Sequence, residues 1–247
     1  MVMKKILAKI LFVVVTCFFS LSSALGQEKK QVQNRPYIDM RTIHYGIHFG
    51  FHLMDMELEN VGPQLLDDGS TQTIVCDVDN WNPGFSVGVM GELRLNEYFS
   101  FRVAPAMHFG QRHLKFLNLT DPDEEPAQQN MKTTYVALPL DIKFASQRYN
   151  NIRPYISAGL TPMVNLTGKR QDYIQLKKND LFLNIALGCD FYLPFFKLIP
   201  ELRFCYGLTN CIDSNHVGEL QDVTMKKFTN SVRSGHSKMV ILTFYFE

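Results

Sequence analysis

Chemistry in this chain would have to start from its histidines and serines. His44, His48 and His52 stand four residues apart. On a helix that spacing would gather ligands around one ion. On a strand, at about 3.4 Å per residue, each lies about 13 Å from the next. One ion cannot bridge that. His44, Ser86, Ser100 and His108 are the residue types of a hydrolase, which needs a base within hydrogen-bond reach of its nucleophile. Nothing in their spacing joins them into a triad, and no Gly-x-Ser-x-Gly elbow, metal motif or phosphate loop is expected. No catalytic residue, metal or cofactor is therefore expected. What remains is charge placed among apolar residues: Glu92, Arg94, Arg102, Asp141, Lys143, Asp190, Glu201 and Arg203.

The elements carrying these charges are strands. From Thr42 to Met54 the odd positions are Ile43, Tyr45, Ile47, Phe49, Phe51 and Leu53, and the even positions are polar, glycine or Met54. Side chains alternate faces along a strand, so one face is greasy and the other small or polar. The pattern recurs over Gly84–Leu95, Tyr98–Phe109, Thr133–Phe144, Arg153–Leu166, Leu181–Leu193 and Leu198–Leu208. It returns at the chain end with Val240, Leu242, Phe244 and Phe246. The connections alternate long and short. The long ones are 58–80, 110–130, 167–179 and 209–236, and short polar turns lie between them.

Eight strands of this length, with apolar residues facing lipid and polar residues facing a lumen, predict an all-β fold. The expected architecture is an eight-stranded antiparallel up-and-down transmembrane β-barrel with periplasmic termini. A lipocalin-like soluble barrel is the rival, and it would turn the apolar face inward. Eight strands leave a lumen that side chains can fill. The eight charges are then expected to pair with one another as an interior polar network, because buried charges need partners.

The beginning of the chain reads as an export leader. Lys4, Lys5 and Lys9 precede the apolar run Ile10–Phe19, and Ala24-Leu-Gly26 precedes Gln27. The expected organisation is a signal peptide over 1–26, a flexible periplasmic lead-in over 27–41 and an outer-membrane barrel over 42–247. Beyond the leader no long apolar run occurs, so only a closed barrel could cross a bilayer. Removing the leader leaves 22 basic and 24 acidic residues, a net charge of −2. Nothing in that balance suggests nucleic acid. Cys76, Cys189, Cys205 and Cys211 match no zinc spacing. Cys76 and Cys211 fall in loops on one side, where a bridge is an open possibility; Cys189 sits on an apolar face.

Several stretches carry a resemblance. They are the leader ending Ala-Leu-Gly26, Tyr135-Val-Ala-Leu-Pro-Leu-Asp-Ile-Lys143, Arg153-Pro-Tyr-Ile-Ser-Ala-Gly159, and Leu198-Ile-Pro-Glu-Leu-Arg203 with Tyr206-Gly-Leu208. Their order along the mature chain resembles the PorT family of outer-membrane proteins. The resemblance implies a non-enzymatic component of type IX secretion, the machinery that exports proteases and adhesins across the outer membrane. It also implies outer-membrane lipid and other secretion components as partners. The chain ends Phe244-Tyr-Phe-Glu247, so the terminal aromatic expected of such barrels is displaced by Glu247. The alternatives from the residues themselves are a small barrel that binds a lipid or small molecule, and a barrel enzyme acting on lipid.

Overall fold

A computed structural model of the chain describes residues 32–65, 71–78, 82–121, 125–167, 173–213 and 223–247. The leader reading, 1–26, lies outside the described residues. Among them are twelve strand segments: β1 (Ile43–Asn60), β2 (Pro63–Leu65), β3 (Thr71–Val78), β4 (Asn82–Arg94), β5 (Phe99–Val103), β6 (Ala106–Asn118), β7 (Ala127–Ala137), β8 (Leu140–Ala145), β9 (Ile152–Asn165), β10 (Asn179–Tyr192), β11 (Lys197–Gly207) and β12 (Val232–Phe246). A short helix, Val223–Thr229, precedes β12. All neighbours are antiparallel. The order runs β10-β11-β12-β1-β4-β5-β8-β9, and β9 pairs with β10, so the neighbours return to their start.

The expected count of eight is replaced by twelve segments for two reasons. The first is proline. Pro105 separates β5 from β6, and Pro139 separates β7 from β8. Each lacks the N–H that a ladder needs. Only one-way bonds remain there: Val89 N to Pro105 O (3.1 Å), Ala104 N to Pro139 O (3.3 Å) and Leu138 N to Pro162 O (3.0 Å). The register does not slip across the gap, since Val103 pairs with Leu140 and Ala106 with Ala137. The second reason is that strands continue into stretches expected to be loops. β1 runs on to Asn60, β6 to Asn118, and β2 and β3 form a hairpin inside 58–80. β3 extends the wall by pairing with β6, Ile74 opposite Asn118. The expected loop 209–236 likewise holds the short helix and the start of β12.

These continuations escape a search for greasy outward faces because the pattern changes phase. Along β6, Arg112, Leu114 and Phe116 are buried, while Gln111 and Leu117 are exposed and His113 and Lys115 half-buried. Along β7, Gln128, Asn130 and Lys132 are exposed and Gln129, Met131 and Thr133 are buried. Nearer the short turns the rule is reversed. Tyr45 (77% exposed), Phe51 (59%) and Ile142 (55%) face out, while Arg102, Asp141 and Asp190 are fully buried. An apolar outer wall of this extent, wrapped around charge, is the inverse of a soluble barrel and excludes the lipocalin-like arrangement. No described helix is long and apolar enough to cross a membrane.

The described part of the lead-in is held in place, against the expectation of a flexible segment. Ile38–Met40 form one 3-10 turn and Ile38 is buried. Arg148 donates to Asn150 O (2.8 Å), Arg35 O (3.3 Å) and Asn151 Oδ1 (3.0 Å), and also to Asn34 O. Its guanidinium lies 3.6 Å over the Tyr192 ring. Tyr192 in turn donates to Asp39 Oδ1 at 2.5 Å. Sequence reading missed this because the partners come from a distant turn and strand.

Candidate functional site: the charged lumen

The short turns collect one end of the ring, and the inward positions just above them hold the charges. Ladder register brings the first pairs together: Glu92 is opposite Arg102, and Arg102 is opposite Asp141. Arg102 donates from Nε to Glu92 Oε2 (2.9 Å) and from Nη1 to Glu201 Oε2 (2.8 Å). Glu201 is the hub. It accepts from Arg102, from Arg203 Nη2 (2.8 Å), from the Tyr155 hydroxyl (2.6 Å) and from the Tyr245 hydroxyl (3.2 Å). Arg203 also reaches Asp141 Oδ2 at 2.7 Å. Lys143 sits between Asp190 (3.0 Å) and Glu92 (3.4 Å). Charge-assisted bonds of this density satisfy ions that the lumen could not otherwise hold.

Seven of the eight charges expected in the lumen are in this network. Arg94 is the correction. It is half-buried at the last residue of β4 and donates to Asn96 O at 3.1 Å. Its inward parity is right, but the strand ends there, so the long side chain turns to the rim. Other members were passed over. Lys197 links Asp190 (3.3 Å) to Glu247 (2.9 Å), and His44 Nδ1 meets Glu247 Oε1 at 2.6 Å. Lys197 shares the parity of Glu201 and Arg203, which was the available signal. Glu247 lies beyond the last strand; against the burial that would raise it, the hydrogen bond from His44 and the charge of Lys197 hold its carboxyl at about 2. Glu247 closes the network against the first strand.

Glycines make room for the rings. A Cβ at Gly188 would lie 2.3 Å from the Tyr155 ring, its ladder partner. Tyr155 fills that place, and Lys143 Nζ lies 4.1 Å from its centroid. His48 and His52 occupy the same kind of place opposite Gly88 and Gly84. The three spaced histidines thus meet different neighbours: His44 meets Glu247, His48 meets Tyr245 (centroids 4.8 Å apart) and His52 meets His108 (5.3 Å). Among the described residues no cluster of histidine, cysteine or carboxylate could hold a metal ion. A cavity of about 20 Å³ lies beside His48, Ser86, His108, Arg203 and Thr243, enough for about one water.

Gly84-Phe-Ser-Val-Gly88 has the letters of a nucleophile elbow, Gly-x-Ser-x-Gly, which corrects the expectation that no such motif is present. An elbow needs a sharp strand-to-helix turn. Here the segment is the middle of β4, with Ser86 buried opposite His108. Ser100 donates to Glu92 Oε1 at 2.7 Å.

Beyond this network, toward the long loops, the lumen turns apolar. Met56, Ile74, Leu114, Phe116, Ile174 and Phe228 pack together as a stopper. Phe116, Tyr173 and Phe228 form a mutual ring cluster with centroids 5.2–5.5 Å apart. Gln129 pins the 173–176 segment by exchanging two 3.0 Å bonds with the Ile174 backbone. Cys76 and Cys211 both lie in this cluster as free thiols, so the open possibility of a bridge is not realised. Cys189 is half-buried on the outward side of β10.

A wall greasy outside, charged inside and closed by antiparallel pairing agrees with the family that matches. The family described as outer membrane protein beta-barrel domain matches residues 29–213. The chain belongs to this outer-membrane β-barrel family. No curated protein matches it. Among solved structures it is similar to the outer membrane protein OprG of Pseudomonas aeruginosa, at 12% identity and a TM-score of 0.47 over 82% of this chain and 93% of that one. It is also similar to Neisserial surface protein A, at 11% identity and 0.39 over 83% and 98%. A third likeness is to Ail of Yersinia pestis, at 12% identity and 0.32 over 82% and 96%. Family membership makes the exposed apolar wall a lipid-facing surface and the outer membrane of a Gram-negative cell its location.

Proposed function

We propose that this barrel is a non-enzymatic accessory of type IX secretion, which binds other components of the translocon rather than conducting cargo. The observation that carries the reading is a lumen filled along its length: lead-in, charged network, then apolar stopper. A protein substrate has no path through it. In this reading β5 with β6, and β7 with β8, each count as one stave, β2 and β3 as an outer extension, and the barrel as eight-stranded. The short turns and both termini are periplasmic, and the chain arrives by cleavage of the leader 1–26.

The secretion role draws its support from the stretches that resemble the PorT family. They contain part of the network: Asp141 and Lys143 in Tyr135–Lys143, Tyr155 in Arg153–Gly159, Glu201 and Arg203 in Leu198–Arg203. With the lumen closed, the surfaces left for partners are the lipid-facing wall and the polar strand extensions at the loop end. The test is a clean deletion of the gene, with cargo followed in periplasmic and extracellular fractions. Unprocessed cargo retained in the periplasm, with other barrels inserted normally, is the expected result. Normal export of cargo would sink the secretion role and leave a small outer-membrane barrel.

A further inference from the structure

Every buried cation of the charged network has a carboxylate against it: Arg102 has Glu92, Lys143 and Lys197 have Asp190, and Arg203 has Asp141. Arg112 has none. It is fully buried on β6, between the histidine layer and the apolar stopper. Among the described residues it forms no ion pair, and its Nε and Nη1 have no protein partner. Nη2 reaches the Met54 sulfur, at 4.0 Å, and the guanidinium lies against the neutral Tyr135 side chain, 5.6 Å from its ring centroid. The neighbouring carboxylate, Asp180, makes no ion pair with it; its Oδ1 accepts from Thr209 Oγ1 (2.5 Å) and Leu181 N (2.9 Å). A guanidinium cannot shed its charge, so in such a place it calls for an anion.

We propose that Arg112 is the binding site for one monovalent anionic group, held by Nε and Nη1 in the upper lumen. The chemistry is that of a halide or a carboxylate, and it has two sources. One is a free inorganic anion. The other is the carboxylate head of an aliphatic chain, with its tail among the stopper residues. Met54, Met56 and Met131 lie close by in the two apolar clusters, and methionine repacks readily around a guest. An anion at Arg112 is independent of any role in secretion.

The test uses the folded full chain in neutral detergent. Crystals soaked in sodium bromide are expected to show bromine density at hydrogen-bond distance from Arg112 Nε and Nη1. In solution, at constant ionic strength, the unfolding midpoint is expected to rise by about 3–6 °C with a binding anion at about ten times its dissociation constant. Bromide, sodium dodecanoate and dodecanol are the probes. A rise with bromide and none specific to dodecanoate identifies a free-ion site. A larger rise with dodecanoate than with dodecanol identifies a carboxylate head. Arg112→Met, similar in length and uncharged, is expected to fold and to lose both responses. If that variant does not fold, Arg112→Lys and the wild-type bromide map decide. The proposal is overturned if no bromine density lies at Arg112 and neither anion moves the midpoint, or if Arg112→Met responds as wild type does.

Discussion

Near the short turns, β1 sends Phe49, Phe51 and Leu53 outward and His48 and His52 inward; further along, the same strand sends Asp55 and Glu57 outward and Met54 and Met56 inward. The inversion is general, since β6 and β7 make it as well. It marks where the medium outside changes from hydrocarbon to water. In water, apolar side chains gain by moving inside, so the loop half is filled as a soluble core is. In hydrocarbon that gain disappears, because lipid is as apolar as any core. There the lumen is held by what lipid cannot offer, hydrogen bonds and opposite charge. One barrel thus uses two kinds of cohesion, divided near the level of Arg112.

The comparison breaks first at Glu201. Replacing it by leucine leaves Arg102 and Arg203 short of a shared carboxylate, along with the Tyr155 and Tyr245 hydroxyls. The expected loss is about 3–5 kcal/mol, read from urea unfolding in vesicles or from the temperature at which the folded band is lost in unboiled electrophoresis. Arg94→Ala is the matched control, expected within about 0.5 kcal/mol of wild type because its charge lies at the rim. Equal losses for the two would mean that the network is not what holds the turn half.

Phe116→Ala tests the other half. It opens a hole in the ring cluster with Tyr173 and Phe228, at a cost of about 3 kcal/mol to the packing of the stopper. Protease cleavage in the long loops is expected to accelerate, while the folded band keeps its heat resistance. A loss of the whole barrel instead would show that the two halves unfold as one unit.

Within the network, a smaller effect than at Glu201 is expected at Glu247. Its carboxyl is depressed to about 2 from an ordinary 4.5. A depressed acid adds stability above its unfolded pKa, and that stability is lost as pH falls through the folded value. Glu247→Gln is therefore expected to cost about 1–3 kcal/mol at pH 7 and to match wild type near pH 2. Unfolding midpoints across that range check it; a cost that is the same at both pH values would remove Glu247 from the network.

Much of the wall was legible residue by residue. The greasy odd positions of β1 and the inward parity of Glu92, Arg102, Asp141, Lys143, Asp190, Glu201 and Arg203 follow from alternation, which is local and needs no knowledge of the neighbours. Arg94 shows the limit of that rule, because parity says which face a side chain takes and not how deep along the lumen it lies. The strand extensions escaped for a related reason: the search assumed one medium outside, and above Gly110 the medium is different.

The sequence alone thus determined the two faces of each stave, the places where the chain turns back and the charges that had to find partners. Only the tertiary structure decided which partner each one found. Glu201 meets Arg102 across 99 positions, and Glu247 meets His44 across 203. Those meetings depend on the stagger of strands around a closed ring, which sets the height of every residue relative to strands it does not touch. Alternation is a property of one strand, but height in the lumen is a property of the whole circuit.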